Sequence, residues 1–272
     1  MKTENLLNFA IQASVEAGFE IMKVFKSNDF QIEHKLDSSP VTIADKNAHQ
    51  IIVDILENTK LPVLSEEGRN IHHEERINWE RYWLVDPLDG TKEFVKRNTD
   101  FTVNIALIEK NKPILGVIYI PVTKELFYGE KEMGSFKYQV ENENSDFQFE
   151  NIFHKLQKLD ATCRNENLTI VGSRSHVNAE TVAYFETLKT KYPNTEISSR
   201  GSSLKFCILA EGKAHLAPRI GPTYEWDTAA GHAILNAAGG YVYQWGSDTE
   251  LIYNKENLLN PNFLAKTANS IS

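Results

Sequence analysis

A chain of 272 residues, 41% hydrophobic and 24% charged, is long and apolar enough for a substantial core, which excludes a disordered or fibrous protein. Its formal net charge of −8 argues against a nucleic-acid polymer as partner, and two cysteines without CxxC spacing suggest neither a disulfide framework nor a zinc site. Cys163 and Cys207 are expected to be buried or chemically neutral, and a reducing cytoplasm fits. Residues 1–25 read as an amphipathic helix. Lys2, Glu4, Glu16 and Glu20 interrupt the apolar run that a signal peptide or membrane span needs, so no stable membrane insertion is expected. "VTIADKNAHQIIVDIL" (41–56) predicts a second helix, with Thr42 and Asp45 in a capping-box pattern ahead of Ile51, Ile52, Ile55 and Leu56. Short strands follow: "LPVL", which ends at Ser65-Glu66-Glu67-Gly68, "RYWLV", which ends at Asp86, and then "FTVNIALI", "ILGVIYI" and "ELFYGE". His72-His73 read as a solvated loop pair. The polar, irregular stretch at about 141–165 marks a junction between subdomains, placed at 1–160 and 161–272. Beyond it the pattern alternates: strand "LTIVGS", helix 177–191, strand "TEIS" and a helix around "SLKFCILAEG". Asp227 then precedes an Ala-rich helix that Gly239-Gly240 stops, and "YVYQW" forms the next strand.

Acidic residues recur where these elements begin or end: Asp45, Glu66, Asp86 with Asp89, and Asp227. Singly, each has a plain structural role available, as a helix cap, a capping box or a solvated turn. "DPLDGT" after the apolar run Tyr82–Val85 is harder to dismiss, because buried strands do not end in carboxylates unless something positive meets them. Hard cations such as Mg²⁺ take oxygen ligands and keep waters, so a few carboxylates suffice. Asp86 and Asp89 supply two from one turn, the Leu88 carbonyl falls between them, and Glu66 and Asp227 approach from other elements. If a helix starts at "TKEFVK", the Gly90 and Thr91 N–H groups lie at its positive end, suited to a phosphate.

"SEEG", "WLVDPLDGTKEF" and "EWDTAAGHAIL", in this order and at these separations, resemble the motifs of the inositol monophosphatase superfamily of Mg²⁺-dependent, lithium-sensitive phosphatases. Within it, "SSPVTIAD" (38–45), "SRSH" (173–176) and the segment 201–233 look closest to the branch of bacterial CysQ-type 3'(2'),5'-bisphosphate nucleotidases. The resemblance spans most of the chain and implies a layered α-β-α-β-α sandwich of the sugar-phosphatase type, with the site between two intimate subdomains. It makes Glu66, Asp86, Asp89, Asp227 and the Leu88 carbonyl metal ligands, and Thr91 and Asp45 a hydrogen-bonded pair orienting the attacking water. Glu66, Leu88, Asp89, Gly90, Thr91 and Asp227 also border the substrate, while His176, Ser202, Lys205 and Arg219 surround its nucleotide part.

The activity implied is removal of the 3'-phosphate of adenosine 3',5'-bisphosphate, a compound of sulfur metabolism, with Mg²⁺ as cofactor and no covalent intermediate. The metal ligands alone do not separate this from inositol monophosphate or sugar bisphosphate hydrolysis. A nucleotide-binding sensor without turnover is the reading from another class, and the intact carboxylates with Thr91 weigh against it.

Overall fold

Alternation along the strands dictates a sheet buried on both faces. In the computed structural model, which describes residues 3–27, 29–34, 40–141, 155–175 and 177–270, β4 (Arg81–Asp89) sends Trp83 and Val85 to one side and Tyr82 and Leu84 to the other. Residues at successive strand positions point to opposite faces, so an uninterrupted apolar run requires a layer on each side. On the first side lie α1 (Thr3–Ser27) and α2 (Ile43–Leu56), which pack against each other and against the sheet through Leu7, Ile11, Ala44 and Ile52. The capping box expected at Thr42 and Asp45 starts α2. The short pair β1 (Glu33–His34) and β2 (Pro40–Val41) lies between these helices in sequence.

The sheet runs β3 (Val63–Ser65), β4, β5 (Thr102–Glu109), β6 (Lys112–Ile120), β7 (Glu125–Glu130), β8 (Gly134–Gln139) and β9 (Gln157–Lys158) in spatial order. Among the described residues, β3 and β4 are the one parallel pair of this sheet, and its other pairs are antiparallel. Between β3 and β5 lie the short helices α3 (His73–Arg76) and α4 (Thr91–Val95).

A second sheet has the order β11 (Glu196–Arg200), β10 (Thr169–Ser173), β12 (Leu216–Arg219), β14 (Phe263–Lys266), β13 (Tyr241–Gln244). Helix α5 (Ala179–Lys191) covers its outer face through Phe185 and Leu188. Its inner face meets α6 (Leu204–Ala210) and α7 (Glu225–Ala237), and α7 also bears on the first sheet. The layers are therefore helix, sheet, helix, sheet, helix, as the resemblance implied. Helix α7 is the shared centre, and Gly116 lets it close on β6: a Cβ there would stand 2.2 Å from the Ala230 carbonyl oxygen. Both cysteines are buried.

Several sequence readings need correction. Asp227 does not precede its helix; Glu225 begins α7 and Asp227 lies in its first turn. His73 opens α3 rather than a loop, with only His72 exposed. Strands β1, β2, β8, β9, β12 and β14 went unpredicted, and Val41, expected in the second helix, belongs to β2. Much of the 141–165 junction, Ser38 and Ser39 of "SSPVTIAD", and His176 fall outside the described residues.

Candidate active site

The odd spacing of Asp86 and Asp89 would place them on opposite faces of a regular strand. Pairing with β5 prevents this: Asp86 is opposite Asn104 and Asp89 opposite Thr102, so three steps on β4 match two on β5. Asn104 and Thr102 share a face, and the bulge gives their partners the same one. That face is the α7 side. In the neighbouring strand Ser65 pairs with Val85, and Glu66 N–H then donates to the Val85 carbonyl at 3.1 Å, which sets Glu66 beside Asp86.

Carboxylate oxygens of Glu66, Asp86 and Asp227 converge within 4.8 Å of one another. Burial pushes the Asp86 carboxyl well above the usual range, and the negative charges of Glu66, Asp89 and Asp227 push it further. Asp227 is raised for the same reasons, burial first and then Asp89 and Glu66, against a counter-pull from Arg219 and the Tyr224 N–H. Three buried or half-buried anions at this separation repel unless a cation lies among them, and an all-oxygen donor set fits a hard divalent ion. Asp89 lies outside this closest triad. Its Oδ2 accepts from Ser202 Oγ at 2.7 Å, Ser203 Oγ at 2.8 Å and Asn104 Nδ2 at 3.3 Å, and among the described residues no donor claims Oδ1.

Thr91 Oγ1 donates to Asp45 Oδ1 at 3.0 Å, with the Leu88 carbonyl at 3.1 Å as a second acceptor. Asp45 Oδ2 takes the Thr42 N–H at 2.7 Å and the Thr42 hydroxyl at 2.6 Å. Both oxygens of Asp45 are thus engaged, and it stands behind Thr91 rather than in the cavity. Burial lifts it from 3.8 to about 6 despite those bonds. Gly90 opens α4 at φ 93°, a conformation suited to glycine, and a Cβ there would lie 2.8 Å from the Asp100 carbonyl oxygen.

These groups line one cavity of about 260 Å³, together with Ser202, Lys205 and Arg219. Ser202 holds the left-handed region at φ 53°, a strained choice for serine, and its hydroxyl bridges Asp89 and Thr102 Oγ1, the latter at 2.6 Å. Lys205 donates to the Ser202 carbonyl at 2.6 Å; burial, helped by the Arg219 charge, pushes it down to about 8. Arg219 is 9% exposed and bonds Ser173 Oγ at 3.2 Å and the Pro222 carbonyl at 2.8 Å, so it is no solvated surface charge. Every expected site residue among those described therefore gathers here, with Asp45 one step removed. Sequence reasoning missed Asn104 and Ser203, which hydrogen-bond Asp89, and Thr102, which bonds Ser202 and Asn104 behind it. The available signal was two polar residues at the site end of the otherwise apolar strand "FTVNIALI".

Residues 2–271 match the inositol monophosphatase family. The chain is 44% identical over 261 residues to the 3'(2'),5'-bisphosphate nucleotidase CysQ of Salmonella typhimurium, covering 95% of this chain and 98% of that protein. It is 40% identical to the protein of the same name from Buchnera aphidicola over 96% of this chain and 93% of the relative. Among solved structures, CysQ from Bacteroides thetaiotaomicron superposes with a TM-score of 0.88 at 45% identity, covering 96% of this chain and 97% of that one.

Proposed function

The chain belongs to the inositol monophosphatase family, and we propose that within it this protein is a Mg²⁺-dependent phosphomonoesterase that releases the 3'-phosphate of adenosine 3',5'-bisphosphate, leaving AMP. The observation that carries this reading is one cavity lined by three converging carboxylates, by Thr91 with Asp45 behind it, and by the cations Lys205 and Arg219. A lining of carboxylates that call for a metal and of separate cations suits an ester with two phosphates. Relatives named 3'(2'),5'-bisphosphate nucleotidase support the choice of ester.

Glu66, Asp86, Asp227, the Leu88 carbonyl and Asp89 through Oδ1 would hold the metals. When bound, Mg²⁺ supplies Lewis acidity that makes water nucleophilic near neutral pH and offsets charge on the leaving ribose oxygen. Asp45 fixes the Thr91 hydroxyl proton toward itself, so a Thr91 lone pair is left to accept from the attacking water. Glu66 takes a proton from the attacking water, and the leaving 3'-oxygen takes one from solvent as the P–O bond breaks. The Gly90 and Thr91 N–H groups face phosphate oxygens at the start of α4. Arg219 and Lys205 meet the 5'-phosphate with charge-assisted hydrogen bonds.

Residues 1–160 and 161–272 form the two subdomains in this reading, with the site between them, and inhibition by lithium and a cytoplasmic place follow from the resemblance. Among the described residues no helix is long and apolar enough to cross a membrane. The test is phosphate release with Mg²⁺ from adenosine 3',5'-bisphosphate, inositol monophosphate and fructose bisphosphate. Preference for the first, lost in chelator, is the expected result; preference for inositol monophosphate would overturn the nucleotide assignment.

A further inference from the structure

Tyr224 and Trp226 form an aromatic pair in the cavity wall that the chemistry above leaves without a task. Their rings stack with centroids 4.9 Å apart and planes 13° from parallel. The indole covers one face of the phenol, yet Tyr224 keeps 36% of its surface exposed. A solvated aromatic plane adds little to folding, so one held rigidly beside a ligand cavity reads as a contact surface.

Rigidity comes from the main chain. The Tyr224 N–H donates to Asp227 Oδ2 at 2.8 Å, its carbonyl accepts from Asn260 Nδ2 at 2.7 Å, and it bridges to Leu259. The turn that sets a metal-ligand carboxylate therefore also sets the ring. Arg219 anchors to the Pro222 carbonyl two residues upstream of Tyr224, so one short stretch of chain, 219–227, brings a cation, an aromatic plane and a carboxylate to the cavity lining. Inositol and sugar phosphates present hydroxyl groups and no π face to such a plane, whereas a purine base matches it.

We propose that Tyr224, backed by Trp226, is a base-stacking platform that makes this cavity select nucleotides over sugar phosphates. The inference rests on the phosphatase reading above and adds a determinant of specificity to it. Base–aromatic stacking is sequence-tolerant and sensitive to truncation of the ring, so the platform favours purine nucleotides generally and is indifferent to the phenolic hydroxyl.

The experiment compares wild type, Tyr224→Ala and Tyr224→Phe on two substrates, adenosine 3',5'-bisphosphate and the base-free 1-deoxyribose 3,5-bisphosphate. The Asp227 contact comes from the Tyr224 backbone and survives both substitutions. Tyr224→Ala is expected to raise KM for the nucleotide about tenfold, to leave the base-free ester within about twofold of wild type, and to spare kcat on both. Tyr224→Phe should match wild type. Equal losses on the two substrates, or none on either, would overturn the platform while leaving the phosphatase standing. Failure of the wild type to hydrolyse either ester with Mg²⁺ would overturn both readings.

Discussion

Withdrawing Mg²⁺ at two pH values probes the carboxylate cluster through stability rather than turnover. Burial and mutual repulsion raise Asp86 and Asp227 well above ordinary carboxyl values, and burial lifts Asp45 from 3.8 to about 6. A carboxyl raised in the folded state holds a proton that the unfolded chain has already released. Its stabilising contribution is full below the unfolded value and is lost as pH rises through the folded one. For Asp45 alone the displacement from 3.8 to about 6 amounts to about 3 kcal/mol lost by neutral pH. At roughly 2–4 °C per kcal/mol for a chain of this size, that is roughly 6–12 °C in Tm, and Asp86 and Asp227 act with the same sign. Bound Mg²⁺ replaces the protons of Asp86 and Asp227 and cancels their repulsion, while the Asp45 contribution, behind Thr91, is the same with or without metal, so calorimetry should show a larger Tm gain on adding Mg²⁺ to chelator-treated protein at about pH 8 than at about pH 5. Equal gains, or a larger gain in acid, would refute the placing of a divalent cation among these carboxylates.

Asp89→Asn should abolish measurable turnover with a circular dichroism spectrum like wild type, because the amide oxygen still accepts from Ser202 and Ser203 while the ligand charge is gone; near-normal phosphate release would contradict the metal role. Thr91→Ala is expected to lower kcat about 100-fold with little change in KM, and Thr91→Ser to restore most of it; a loss confined to KM would point to binding instead. Arg219→Ala should cost about 1.5–3 kcal/mol in kcat/KM on adenosine 3',5'-bisphosphate and far less on the nucleotide with only a 3'-phosphate, and equal losses would remove the 5'-phosphate contact. Gly116→Ala, whose Cβ would meet the Ala230 carbonyl oxygen at 2.2 Å, is expected to destabilise the fold by at least about 1–3 kcal/mol, read as a lowered Tm by calorimetry.

What the sequence made legible was local, and what it hid was tertiary. The start of α2 was readable because the Thr42–Asp45 box is made within four residues. The strands β4 to β7 were readable because their apolar runs are long. β12 was not: Pro218 occupies it, a residue that argues against a strand by removing a backbone donor, and pairing with β14 is what makes its neighbours extended. β8 was missed because "GSFKYQ" has too few apolar residues to announce a strand without β7 beside it. The same division runs through the site. "DPLDGT" named Asp86, Asp89, Gly90 and Thr91, but the spacing of the two aspartates assigns them to opposite faces, and only the bulge opposite Val103 brings them together. Register with another strand decides that, and no window on β4 contains it. Asn104 illustrates the point from the other side: its amide reaches Asp89 at 3.3 Å and Ser203 Oγ at 2.9 Å, joining residues 15 and 99 positions away. A ligand carboxylate is placed by such distant donors as much as by its own motif, so the motif names the chemistry while the fold sets its geometry.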